Sequence, residues 1–312
     1  MKINSNLKWA LVLSGGGAKG FAHIGILNAF SSLGFPPPSL VAGTSMGAIV
    51  GGLYACGMES AELTRFALEE FNLKKYLDGF AYKIDGPLGK VVQTGQILGN
   101  LAARPGMDSG ERILELLETL SGGKTFEETR IPFRCNAVDI ADGREVALSS
   151  GSVARAIRAS MSFPVFFEPL REGDRFLVDG GLANNLPVYL AREAGYKKIL
   201  AVDVGDFNVR SVESLRTGME VLFRVFDVTL HVLKQKEQKA SFTIHAGGMG
   251  TPFSFSRAAA IIQYGERIVR EHEEAIRAFF SSGPGAFFTL RRRRECGVQE
   301  KEKPVGPSGS PY

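Results

Sequence analysis

The amino-acid sequence predicts an α/β fold, a three-layer sandwich in which a mainly parallel central sheet is flanked by helices on both faces. Three observations carry that expectation. Short apolar runs that end at glycines alternate with helix-like segments from residue 9 to residue 204, the rhythm of strand-helix units whose parallel strands need helical crossovers. Residues 48–56 are apolar on every side, as in a helix buried against a sheet. With 312 residues, 44% hydrophobic and 22% charged, the chain has the composition of an ordinary globular protein with a sizeable core.

Taken in order, residues 9–14 form an apolar run ending in glycines, and residues 22–33 then read as a helix closed by Gly34, because glycine readily takes the left-handed conformation that ends helices. Pro36, Pro37 and Pro38 break the chain before a second short strand at 40–42. A tight turn over 43–47 leads into the helix 48–56, which makes a second strand-turn-helix unit. Further strands are expected at 133–139, 175–178 and 198–204, with helices at 152–160 and 187–194. Helical periodicity returns over 212–239 and 257–280, in segments that read as packed against the body rather than as membrane-binding. Residues 71–105 have no clear period and are rich in glycine and aromatics, which suits a lid or pocket wall; there Phe80, Tyr82, Ile84 and Leu88 are candidates to line an acyl pocket, with packing against the domain as the competing reading.

The organisation expected is a lead over 1–8, one catalytic domain over 9–280 and a basic, disordered tail over 281–312, because no Ser/Gly/Pro-rich linker or solenoid-spaced repeat divides the body. The net charge of +4 resides in Arg291, Arg292, Arg293 and Arg294; without them 33 acidic and 33 basic residues balance. No nucleic-acid partner is expected of so balanced a body. Cys56, Cys135 and Cys296 are odd in number and widely spaced, which suggests neither a disulfide framework nor a zinc site. No metal or other cofactor is expected. The polar lead and the short apolar run after it match neither a signal peptide nor a membrane span. The expected location is therefore cytoplasmic, with peripheral membrane contact and export by another route left open. Oligomeric state is undetermined.

Three motifs carry chemistry. Gly43-Thr44-Ser45-Met46-Gly47 is a G-x-S-x-G set between an apolar strand and an apolar helix, the setting in which small neighbours let the backbone turn sharply and project a serine hydroxyl over the sheet end. The Met46 amide then starts a helix and points, with the helix dipole, at a developing oxyanion. Gly15-Gly16-Gly17-Ala18-Lys19-Gly20 also follows a strand and opens a helix, and its bare amides suit an anion. A dinucleotide site is disfavoured, since no Asp or Glu occurs between this loop and Glu59. A Walker loop is disfavoured too, because Gly123-Lys124-Thr125 has Glu118 in place of the leading glycine. An oxyanion hole is the reading that survives. The third motif is Asp179-Gly180-Gly181 at the end of an apolar strand.

A serine nucleophile needs a base, and the residues alone leave two choices, Asp179 acting directly or a histidine in a triad. The four histidines, His23, His231, His245 and His272, lie outside any recognisable catalytic loop, and His245, just before Gly247 and Gly248, is the best placed of them.

Together GGGAKG, GTSMG and DGG, with AHIGIL after the loop, AIRASMSFPVFFEP at 156–169 and NNLP at 184–187, resemble the patatin-like phospholipase family over residues 9–205. The resemblance implies a Ser45–Asp179 dyad, an oxyanion hole from the amides of Gly15, Gly16 and Gly17, and hydrolysis of lipid acyl esters of the phospholipase A or lysophospholipase type through an acyl-enzyme. Lys19 stands where many members carry arginine; it keeps the charge but not the fork-shaped donor set. The alternatives are a small-ester esterase or thioesterase with the same site, or a non-catalytic scaffold that binds an anion or partner. For the dyad, Asp179 must be largely buried and within hydrogen-bond reach of Ser45, since a solvated carboxylate with a pKa near about 4 is a weak base for an alcohol.

Overall fold

The structure is a computed structural model, and it describes residues 3–70, 105–281 apart from 208, 210, 217 and 235–238, and 295–297. The first unit is strand β1 (Ala10–Leu13), a 3-10 turn over Gly17–Gly20 and helix α1 (Phe21–Ser32). The second is β2 (Leu40–Gly43) and α2 (Met46–Cys56), followed by the short helix α3 (Ser60–Arg65). Then come β3 (Gly106–Asp108), α4 (Glu111–Ser121), β4 (Phe133–Asp139), β5 (Arg144–Leu148), α5 (Val153–Ser160), β6 (Val165–Phe167), β7 (Leu170–Glu172) and β8 (Arg175–Asp179). The remaining elements are α6 (Val188–Glu193), β9 (Ile199–Asp203), α7 (Gly218–Lys234), β10 (Phe242–His245), α8 (Ala258–Glu271), α9 (Glu273–Phe279) and β11 (Glu295–Gly297).

The main sheet has the order β11-β10-β9-β1-β2-β4-β8-β7, with β5 also paired to β4, while β3 and β6 form a separate pair. From β11 to β4 every neighbour is parallel; β5, β7 and β8 add antiparallel pairs at the other edge. The expected mixed sandwich is thus present. The central strands are apolar on both sides because both sides are covered. Leu11, Leu13, Leu200 and Val202 pack with α1, α2 and α8, whereas Ala10, Val12, Ala42, Ile199 and Ala201 pack with Val188, Leu190 and Ala191 of α6. A third cluster sets Ile113, Leu114 and Leu117 of α4 against Phe133 and Ile157.

Helix α4 was not among the elements expected from the sequence, although Ile113, Leu114 and Leu117 repeat at helical spacing; four charged residues over 111–118 dilute its apolar signal. Within the tail expected to be disordered, Glu295–Gly297 instead extends the sheet as β11, parallel to β10, with Cys296 buried. The lead is also tied down, since Ile3 bridges Ser281 and the Asn4 amide donates to the Phe280 carbonyl. The remainder of the tail, including Arg291–Arg294 and Pro304–Tyr312, lies outside the described residues. So does the expected lid, with Phe80, Tyr82, Ile84 and Leu88. Among the described residues no helix is long and apolar enough to cross a membrane. The three cysteines are free and buried.

Helices α1 and α8 approach most closely at two glycines. A Cβ built on Gly265 would lie 2.3 Å from the Ala22 carbonyl oxygen, and one on Gly25 would lie 1.9 Å from that of Ile262. Alanine is favoured over glycine inside a helix by about 1 kcal/mol, but here it must push two backbones apart, and overpacking of that kind costs about 1–3 kcal/mol or more. Gly265→Ala is therefore expected to lower stability by about 2 kcal/mol in urea unfolding; a stabilised variant would show that the helix contact yields at little cost.

Candidate active site

Ser45 sits between β2 and α2 with φ 53° and ψ −120°, a backbone conformation that costs a residue with a Cβ about 1–3 kcal/mol. Neighbouring contacts hold it there. A Cβ on Gly47 would lie 2.3 Å from the Leu13 carbonyl oxygen and one on Gly43 2.4 Å from that of Gly47, so the turn closes only with glycine at both ends of the pentapeptide. The Ser45 amide donates to the buried Ser160 hydroxyl at 3.0 Å, the Thr44 amide to the Leu13 carbonyl at 3.1 Å and the Gly47 amide to the Thr44 carbonyl at 2.8 Å. Ser45 itself is half-buried, and Met46 opens the helix behind it.

Asp179 reaches the same height by register. Gly43 pairs with Cys135, but β4 runs on to Asp139. The antiparallel β8 lies along that overhang and pairs Asp179 with Ala137, two residues beyond the level of Gly43. Ser45 is likewise two residues beyond Gly43. The aspartate is 4% exposed. Its amide donates to the Ser162 carbonyl at 3.0 Å, its carboxylate accepts from the Gly181 amide at 2.8 Å, and the Ser45 side chain lies near enough to ease its charge. Burial pushes the carboxyl up to about 6, against the opposing pull of the Gly181 amide and the Ser45 side chain. A buried carboxyl of raised proton affinity beside a serine is what direct activation of the hydroxyl requires.

The glycine loop borders the serine, since a Cβ on Gly15 would come within 3.2 Å of the Ser45 Cβ. One expectation changes here. The Gly15 amide donates to the Asn185 carbonyl at 3.1 Å, and the residue is buried; it holds the loop to the 184–185 segment and is spent as an anion donor. Gly16 and Gly17 are the partly exposed members of the triplet. Lys19 also differs from its expected place in the anion site, because its ammonium forms an ion pair with Asp206, with both side chains largely buried. That pair and the Ala18 amide, which donates to the Pro252 carbonyl at 2.8 Å, clamp the loop onto segments beyond β9 and β10.

No histidine takes part in the hydrogen bonds that the Asp179 carboxylate makes. His245 ends β10, three strands from β2 in the sheet, about 14 Å away at the usual strand spacing, and faces Asp203 with Nδ1 3.6 Å from its carboxylate. His23 is fully buried beneath the glycine loop, with Nε2 2.9 Å from the Ser14 carbonyl, and burial lowers it to about 4. His231 stacks on Phe207, and His272 caps α8. Sequence reasoning had not singled out Asn136, Ser160 or Ser162. Asn136 is an isolated polar residue in the otherwise apolar stretch 135–138, and that is a signal, because a buried amide demands partners.

Residues 11–192 match the family described as patatin-like phospholipase. Among curated proteins, the chain is 32% identical over 202 residues to a lysophospholipase NTE1 of Mycosarcoma maydis, a match covering 64% of this chain and 10% of that one. It is 32% identical over 211 residues to lysophospholipase NTE1 of Saccharomyces cerevisiae, covering 67% of this chain and 12% of the relative. Among solved structures, VipD from Legionella pneumophila aligns with a TM-score of 0.48 at 18% identity, covering 86% of this chain and 67% of that one. The chain thus spans about a tenth of the length of these lysophospholipases.

The raised proton affinity of Asp179 has a consequence for stability. Its pKa is 3.8 as an ordinary aspartate and about 6 in the fold, so between those values the folded protein binds more protons than the unfolded chain. Stability present below about pH 4 is therefore lost as pH rises through 6, by up to about 3 kcal/mol at neutral pH. Asp179→Asn, which keeps the shape without the charge, is expected to be more stable than wild type at pH 7.5 and equal to it at pH 4 in urea unfolding. A variant destabilised equally at both pH values would contradict the buried charge.

Proposed function

The chain belongs to the patatin-like phospholipase family, and from that premise we propose that it is a serine acyl hydrolase acting on lipid acyl esters, of the phospholipase A or lysophospholipase type, through a Ser45–Asp179 dyad. The observation that carries this reading is the sheet register that brings a buried Asp179, its carboxyl of raised proton affinity, to the level of Ser45.

In the proposed cycle Ser45 Oγ attacks the ester carbonyl carbon while its proton passes to Asp179. The tetrahedral oxyanion is held by the amides of Gly16 and Gly17 and by that of Met46 at the start of α2, where the helix dipole adds to the field. Collapse breaks the bond to the alcohol, which leaves with the proton from Asp179, and an acyl-Ser45 remains. Water then attacks this ester with Asp179 again taking the proton, and the second collapse frees the fatty acid and restores the hydroxyl. That the relatives are lysophospholipases supports lysophospholipid as the first substrate to try. Approach to a lipid aggregate is supported by α7, which packs beside the turn following Asp179 and leaves Val221, Val225, Val228 and Val232 exposed on one face. The sequence had favoured a packed helix here; α7 has a packed side and a bare apolar side.

Hydrolysis of p-nitrophenyl butyrate and longer esters tests the reading. Ser45→Ala and Asp179→Asn are expected to lose at least about a thousandfold in kcat, and His245→Ala to remain within about threefold of wild type. The acidic limb of kcat/KM is expected near pH 6, the pKa of Asp179 in the fold. An active Asp179→Asn, or a dead His245→Ala, would replace the dyad by another base. Preference for long chains, followed by release of fatty acid from lysophosphatidylcholine, would place the substrate among lipids; activity confined to butyrate would assign a small-ester esterase.

A further inference from the structure

We infer that Asn136 is a positioning residue that sets the Ser45–Asp179 pairing by bracing the two turns that carry them; the inference rests on the dyad reading above. Asn136 lies on β4, between β2 and β8, and is fully buried. Its amide oxygen accepts from the Thr44 hydroxyl at 2.7 Å, on the residue before Ser45. Its amide nitrogen donates to the Asn184 carbonyl at 2.9 Å, to the Gly180 carbonyl at 3.3 Å on the residue after Asp179, and to the Glu145 carboxylate at 2.8 Å. Three acceptors on one side leave the amide a single orientation, with its NH2 toward them and its oxygen toward Thr44. The packing is as tight as the bonding, since a Cβ on Gly180 would fall 2.4 Å from Asn136 Oδ1. Neither a carboxylate nor a hydroxyl of that size supplies one acceptor and two donors in these directions.

Buried donors and acceptors are costly to leave without partners, so the amide holds both turns against drift. In the proposed dyad the serine must reach the aspartate directly, and a misplacement of about 1 Å in such a pair is worth about a hundredfold in rate. Asn136 touches neither reacting group. It acts through Thr44 and Gly180.

The test compares Thr44→Val, which keeps the shape and removes the hydroxyl, with Thr44→Ser, Asn136→Ala and the double variant Thr44→Val/Asn136→Ala. Rates on p-nitrophenyl esters are normalised to the serine titrated by a fluorophosphonate probe. Thr44→Val is expected to lose about 10- to 100-fold in kcat with KM within about threefold, and Thr44→Ser to recover to within about fivefold of wild type. The double variant is expected to be no slower than Asn136→Ala alone, because both changes break one bond. Should Asn136→Ala fail to fold, the Thr44 pair decides the question. Wild-type kcat in Thr44→Val, or multiplying losses in the double variant, would overturn the inference. An active Asp179→Asn would instead remove the dyad on which it rests, and the two failures are therefore distinguishable.

Discussion

The constraint on which the proposed site depends is the burial of the Asp179 carboxyl at the level of Ser45. In water an aspartate has too little proton affinity to draw a proton from an alcohol. At 4% exposure, with its charge opposed by burial and relieved only by the Gly181 amide and the serine, its pKa rises to about 6. The same burial costs stability at neutral pH. Much of the surrounding structure serves to hold these two residues in place.

That structure works from the sheet outward. The overhang of β4 past β2 lets an antiparallel strand deliver Asp179 at the height of Ser45. The C-terminal end of α5 then takes hold of both residues by their backbones, through the Ser160 hydroxyl on the Ser45 amide and the Ser162 carbonyl on the Asp179 amide. Arg158, buried and bonded to the Ser162 hydroxyl and to the Gly110 and Ser109 carbonyls, holds that end of the helix in turn. The unfavourable dihedrals of Ser45 persist because neighbours on several elements specify them, which is how strain is retained at a working site.

The glycine loop divides its labour. Gly15 ties back to Asn185, Ala18 to Pro252 and Lys19 to Asp206. Those anchors leave Gly16 and Gly17 as the two partly exposed members of the triplet, following Gly15, which borders the serine. In the proposed cycle a loop held in this way needs no reorganisation when charge develops, which is the advantage of backbone donors over flexible side chains. The lysine's charge belongs to the clamp.

What the sequence determined by itself was local. The alternation of apolar runs and helical segments, the glycines around Ser45 and the Asp-Gly-Gly turn each report on a few consecutive residues, so the fold class and the candidate serine and aspartate were legible in order along the chain. Helix α4 was legible in principle but muted by its charges, and β11 hid in a tail whose composition pointed to disorder. Tertiary structure alone decided the partners. Asn136 meets Thr44 across 92 positions and Ser45 meets Ser160 across 115. The fate of the Gly15 amide was equally illegible, since it turns on Asn185 of a distant loop. Periodicity and turn chemistry are properties of neighbours in sequence, whereas the register of β8 on β4 and the burial that raises the proton affinity of Asp179 exist only once the sheet has formed.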